Sequence, residues 1–132
     1  MSELTGKIAF DDIQEWEIKE NLKILFGKIN QIRDEWNNPM LVTSGFRSMD
    51  DHLRIYREKG ITDHSKIPMK SKHLFGQAVD ISDPNKELQG WCLNNENALE
   101  FIGLWCEDFE STPNWVHFQI VPPASGKRFF KP

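Results

Sequence analysis

The sequence predicts an α+β fold: a single domain, residues 1–132, in which a small sheet packs on helices. Three observations carry this. The chain has 132 residues, of which 39% are apolar, with five Trp and nine Phe; that suits one core needing neither disulfides nor a structural metal. Leu22, Leu25, Ile29, Ile32 and Trp36 recur at steps of three and four, the period of one helical face. Gln77 to Ser82 and Trp115 to Val121 instead alternate with period two, as strands do.

The first helix is expected to stop at Asn37-Asn38-Pro39. Met40 to Ser44 is short, apolar and partly β-branched, which suits a strand leading into a turn at Ser44-Gly45-Phe46-Arg47. Ser48 offers an N-cap, Asp51 a weak capping-box partner and Gly60 a C-terminal stop, so Arg47 falls at a strand-to-helix junction. Ile61 to Lys72 reads as a polar loop containing Pro68. Gly76 permits a bend that lets His73 fold back towards the side of the next strand from which Asp80 projects. Ala98, Phe101, Ile102 and Trp105 mark a further helix. In the last strand Val116, Phe118 and Ile120 form an apolar face, while Trp115, His117 and Gln119 point the other way. Val79 and Ile81 likewise turn inward and Ala78 and Asp80 outward. Pro122 to Pro132 reads as an extended basic-aromatic segment lying over the domain, and no internal repeat or low-complexity linker is present.

A net charge of −4 and a pI near 5.5 lack the basic footprint of a nucleic-acid binder. Neither a secretory signal nor a membrane-spanning run is visible, so synthesis in the cytoplasm as a soluble monomer is expected. Cys92 and Cys106 lie in segments rich in Trp and Leu and are expected to be buried and reduced; no CxxC pair accompanies them.

His73, Asp80 and His117 carry the chemistry. Two imidazoles and a carboxylate are the protein ligands of an open catalytic zinc site, whose fourth position is left to water or substrate. A lone His is more often a surface or hydrogen-bonded residue, but here His73 and Asp80 share a segment with a glycine bend and His117 interrupts a strand between aromatics. The HExxH helix of standard zincins is absent. His52, read as surface polar, and His64, in a loop, are weaker candidates as further ligands or proton shuttles.

Ser44-Gly45-Phe46-Arg47, then SxHxxGxAxD from Ser71 to Asp80, then Trp115-Val116-His117, in that order, resemble the M15 family of zinc D-Ala-D-Ala peptidases, which share their fold with the Hedgehog signalling domain. The resemblance runs from about Met40 to Val121 and is nearest to small phage and prophage forms, including cell-wall-lysing enzymes. It implies a small, mostly antiparallel sheet packed on helices. It also implies Zn²⁺ held by His73, Asp80 and His117, and Arg47 holding the substrate or the developing oxyanion. Ser71 matches the Ser of the block and is expected to bond substrate or cap the turn; Trp115 and Gln119 are read as pocket wall or support for the ligands. One departure stands out: the family's catalytic Glu, three residues before the second His, is Asn114 here. Asn accepts no proton at neutral pH, so the base is sought among Glu107, Asp108 and Glu110, in a loop expected to curl over the metal.

The function expected from these residues is cleavage of peptidoglycan peptides, as a D-Ala-D-Ala carboxypeptidase or an endolysin-type endopeptidase, with a peptidoglycan peptide as partner and neither nucleic acid nor membrane. As a phage lysis factor it would reach the wall after release. The alternatives are a zinc-containing wall-binding or structural module without turnover, and a metal-free structural domain.

Overall fold

A computed structural model describes residues 15–45, 49–62 and 72–132. In chain order its elements are α1 (Glu15–Trp36), β1 (Val42–Ser44), α2 (Met49–Glu58), a 3₁₀ turn (Lys72–Phe75), β2 (Ala78–Ser82), α3 (Glu87–Asn94), α4 (Glu96–Ile102), β3 (Trp105–Glu107), β4 (Trp115–Gln119) and β5 (Phe129–Phe130). This is the expected α+β class.

α1 begins about two turns before its apolar stripe and buries Ile18, Leu25, Ile29 and Ile32. It ends where the sequence places the stop. Asn37 adopts φ 59° and its N–H donates to the Arg33 carbonyl at 2.7 Å, a left-handed termination that Asn tolerates. α2 closes before Gly60, at φ 83°.

The five strands among the described residues form one sheet in the order β1-β2-β4-β3-β5. Every pairing is antiparallel except β3 with β5. Alternation decides the faces. Val79 and Ile81 of β2, Val116 and Phe118 of β4 and Cys106 of β3 join Leu25, Ile29 and Ile32 of α1 and Leu88, Cys92, Leu99 and Ile102 of α3 and α4 in one buried cluster. The helices α1, α3 and α4 therefore supply the core side of the sheet, which leaves the outward face of β2, β4 and β3 for polar side chains. Both cysteines are buried, with free thiols.

Several elements differ from the sequence reading. The helix anticipated at Ala98–Trp105 ends at Ile102, where Gly103 takes φ 90° as its left-handed cap. Trp105 instead opens β3, and Phe101 lies 90% exposed on α4. α3 was not anticipated. Its first turn is held by Asp83, which accepts the N–H groups of Leu88 (3.0 Å) and Gln89 (2.8 Å) on its two carboxylate oxygens. The tail is a strand as well as a cover: Phe129 and Phe130 lie beside Cys106 and Glu107. His52 is fully buried rather than surface polar, its ring 5.0 Å from that of Tyr56.

Gly76 fixes the entry to β2. It sits at φ 70°, and a Cβ there would lie 2.9 Å from the Ile18 carbonyl oxygen and 3.0 Å from Leu22 Cγ. The left-handed conformation alone costs an L-residue about 1–2 kcal/mol, and the contact with α1 backbone adds to it. Gly76→Ala is therefore expected to lower unfolding free energy by at least that amount in urea titration, and to loosen the 3₁₀ turn that carries His73.

Candidate metal centre and its cleft

Strand register assembles the site. Asp80 of β2 pairs directly with His117 of β4, both on the outward face, where facing side chains stand about 5 Å apart. β3 pairs Trp105 with Gln119 and Cys106 with Phe118, so the next residue, Glu107, falls beside His117. A carboxylate, an imidazole and a second carboxylate thus lie in a row across three neighbouring strands. His73 reaches the row from the 3₁₀ turn. That turn is pinned by Asn21 Nδ2, which donates to the Phe75 carbonyl at 2.9 Å, and by the burial of Leu74.

The His73, Asp80 and His117 ligand atoms all lie within 4.8 Å of one another. Asp80 Oδ1 is the hub, 2.9 Å from His117 Nδ1 and 3.4 Å from His73 Nε2. The two rings meet edge to face, 5.3 Å between centroids. Both imidazoles also have outer partners: His73 Nδ1 lies 3.0 Å from the Gly45 carbonyl oxygen, and His117 Nε2 lies 2.9 Å from Gln119 Oε1. Outer acceptors of this kind orient metal-bound histidines. The donor set fits a zinc ion: two imidazoles, each with one nitrogen turned to a shared carboxylate, leave an open position facing a cleft.

Charge within the cluster is mutually adjusted. Burial pushes the Asp80 carboxyl up, but hydrogen bonds from His117 and His73, together with their charges, outweigh it and bring it down to about 2. Burial pulls His117 down, and the Asp80 hydrogen bond with the Glu107 and Asp80 charges reverses this, so its pKa is raised. Glu107 is raised, chiefly by burial. The signs have consequences for the metal-free protein. Protonated His117 stabilises the fold fully below its unfolded value near 6.5, and that contribution is lost as pH rises through the folded value. The Asp80 contribution is complete above about 4 and is lost as pH falls towards 2. With chelator present, the stability gap between wild type and His117→Gln is expected to narrow over the interval in which pH rises above 6.5, read as melting temperature. Metal affinity should rise over the same interval, because the cation displaces the proton.

The cleft above the cluster has a volume of about 640 Å³. Tyr56, Lys72, Trp115 and Gln119 line it with the three ligand candidates and Glu107, and the tail closes one side through Pro123, Ala124 and Phe130 to Pro132. Of the three upstream carboxylates, only Glu107 lines it, with Oε2 3.8 Å from His117 Nε2. It sits at the end of β3 rather than in a loop. Asp108 accepts the Ser111 N–H and pairs with Lys131 at 3.5 Å; the Ser111 hydrogen bonds, with Lys131, hold its pKa below the usual range. Glu110 also faces Lys131, at 3.7 Å, with its side chain 89% exposed. Asn114 is exposed outside the cleft. Its carbonyl accepts the Asp83 N–H at 2.9 Å, and Gln89 and Lys86 hold the adjoining Thr112 and Pro113 carbonyls, which fastens this loop to the α3 side. Arg47, Ser71 and His64 lie outside the described residues.

A comparison with curated proteins finds no match. Among solved structures, the L-Ala D-Glu endopeptidase ChiX of Serratia marcescens has the same fold, with a TM-score of 0.55 over 84% of this chain and 91% of its own, at 20% identity. The model of the family Peptidase M15 matches residues 5–118, a span that includes the His73, Asp80, Glu107 and His117 assembly. By that match over most of its length, the chain belongs to the M15 peptidase family.

Proposed function

We propose that this chain is a zinc-dependent peptidase acting on the peptides of bacterial peptidoglycan. The observation that carries the reading is the row of Asp80, His117 and Glu107 across β2, β4 and β3, with His73 closing the ligand set. His73, Asp80 and His117 would hold the zinc, which would supply a water of lowered pKa and polarise the scissile carbonyl. The chain's own residues do the rest. Glu107, half-buried and lining the cleft beside His117, takes the water proton and passes it to the leaving amine. Asp108 lies outside the cleft lining, engaged by Ser111 and Lys131. Arg47 supplies a permanent cation with paired donors for a substrate carboxylate or a developing oxyanion, and Ser71 a hydroxyl. Trp115 forms cleft wall against which a peptide packs.

The fold shared with an L-Ala D-Glu endopeptidase supports an endopeptidase acting within the stem peptide, and makes that bond the first to examine. Service as a phage lysis factor, made in the cytoplasm and released to the wall, is compatible with this chemistry. The reading without turnover rests on Asn114, which cannot act as a base.

Mass spectrometry of muropeptides incubated with the zinc-loaded protein, with and without chelator, tests this reading and identifies the bond. The expected result is a new amino and a new carboxyl terminus at one peptide bond, lost on chelation. Retention of zinc with intact muropeptides would favour the wall-binding module instead.

A further inference from the structure

We propose that Gln119 is a positioning residue: its side-chain amide holds His117 in the tautomer that offers Nδ1 to the metal. This rests on the zinc reading above and goes beyond it by naming the residue that selects the ligand atom.

A neutral imidazole carries its proton on one nitrogen, and the partner of that nitrogen decides which one. His117 meets Asp80 Oδ1 through Nδ1 and Gln119 Oε1 through Nε2, each at 2.9 Å. Which end of a glutamine amide faces a neighbour follows from the partner at its other end. Gln119 Nε2 donates at 2.7 Å to the Val121 carbonyl, which can only accept. The amide oxygen is thereby turned to His117, so Nε2 keeps its proton, and the nitrogen that gives up its Asp80-bound proton to a metal is Nδ1, on the side shared with Asp80 and His73. The strut is firmly mounted. Gln119 is 5% exposed, and the backbone between it and Val121 is tied to the sheet through the Ile120 N–H, which donates to the Gln77 carbonyl at 3.0 Å. On His73 the corresponding acceptor is backbone, the Gly45 carbonyl.

The strut also bears on Glu107. Its Oε2 lies 3.8 Å from the same His117 nitrogen, beyond hydrogen-bond reach. A carboxylate is the stronger acceptor for an imidazole N–H, yet the neutral amide occupies that place. Glu107 is therefore left facing the cleft rather than spent on orienting His117.

The test is heteronuclear NMR of the histidine side chains in the zinc-loaded protein, combined with zinc affinity by chelator competition. Wild type is expected to show His117 with a proton on Nε2 and metal on Nδ1. Gln119→Leu should bind zinc about 10–100-fold more weakly, the usual cost of losing a partner behind a metal-bound histidine. Gln119→Glu keeps an acceptor for Nε2 and should recover most of the affinity and the wild-type nitrogen pattern. Metal on His117 Nε2 in wild type would overturn the proposal without any variant, even where Gln119→Leu does not fold. Unchanged affinity in a folded Gln119→Leu would overturn it as well. Wild type that binds no zinc would overturn the metal reading and this proposal together, so the two failures are distinct.

Discussion

Replacing His117 with alanine is expected to abolish zinc binding and peptide cleavage together. The residue sits at the centre of the row, opposite Asp80 in register and beside Glu107. Its loss removes one of three protein ligands, which exceeds the roughly 10–100-fold penalty for losing an outer partner. It also strips the 2.9 Å hydrogen bond from a carboxylate whose pKa is held near 2 by His117 together with His73. In the metal-free protein Asp80 is half-buried and keeps His73 beside it, so this loss costs less than the roughly 1–3 kcal/mol of a fully buried, unsatisfied acceptor. Metal analysis after dialysis, with muropeptide turnover on the same sample, checks both losses. Turnover that survives without bound metal would mean that the cluster is structural.

Glu107→Gln is expected to separate metal from chemistry. The amide has nearly the shape of the carboxylate but cannot accept a proton, so zinc should remain bound while turnover falls about 10²–10⁴-fold, the usual contribution of a general base. Asp108→Asn and Glu110→Gln remove carboxylates committed to Lys131 and should leave turnover near wild type. The pH profile gives an independent reading. The acidic limb of kcat/KM, which reports ionisation of the base, should vanish in Glu107→Gln. An active Glu107→Gln beside an inactive Asp108→Asn or Glu110→Gln would move the base to the inactive variant's position.

Local pattern revealed what is locally determined. The stripe of α1, its stop at Asn37, the bend at Gly76 and the alternation of β2 and β4 were all legible, so Asp80 and His117 could be assigned to one face before any pairing was known. Elements held from a distance were not. α3 carries Gly90 in its middle and a weak apolar stripe, and its first turn is capped by Asp83 rather than by the residue that precedes it. β3 and β5 have three and two residues, too short to show a period. Glu107 therefore read as one of three equivalent loop carboxylates. Only the register of β3 on β4 singles it out, and that register is long-range information. The same holds for Gln119, whose role depends on which end of its amide meets Val121. The burial of His52 does have a sequence signal, since it stands three residues after Met49 and four before Tyr56 on the apolar face of an amphipathic helix.

Zinc titration into the stripped protein, with muropeptide cleavage read at each addition, tests the central claim most directly. If His73, Asp80 and His117 form a single catalytic site, cleavage is absent without metal, rises in proportion to zinc and reaches its plateau at one equivalent. Full cleavage by the stripped protein, or one equivalent of bound zinc with none, would contradict it.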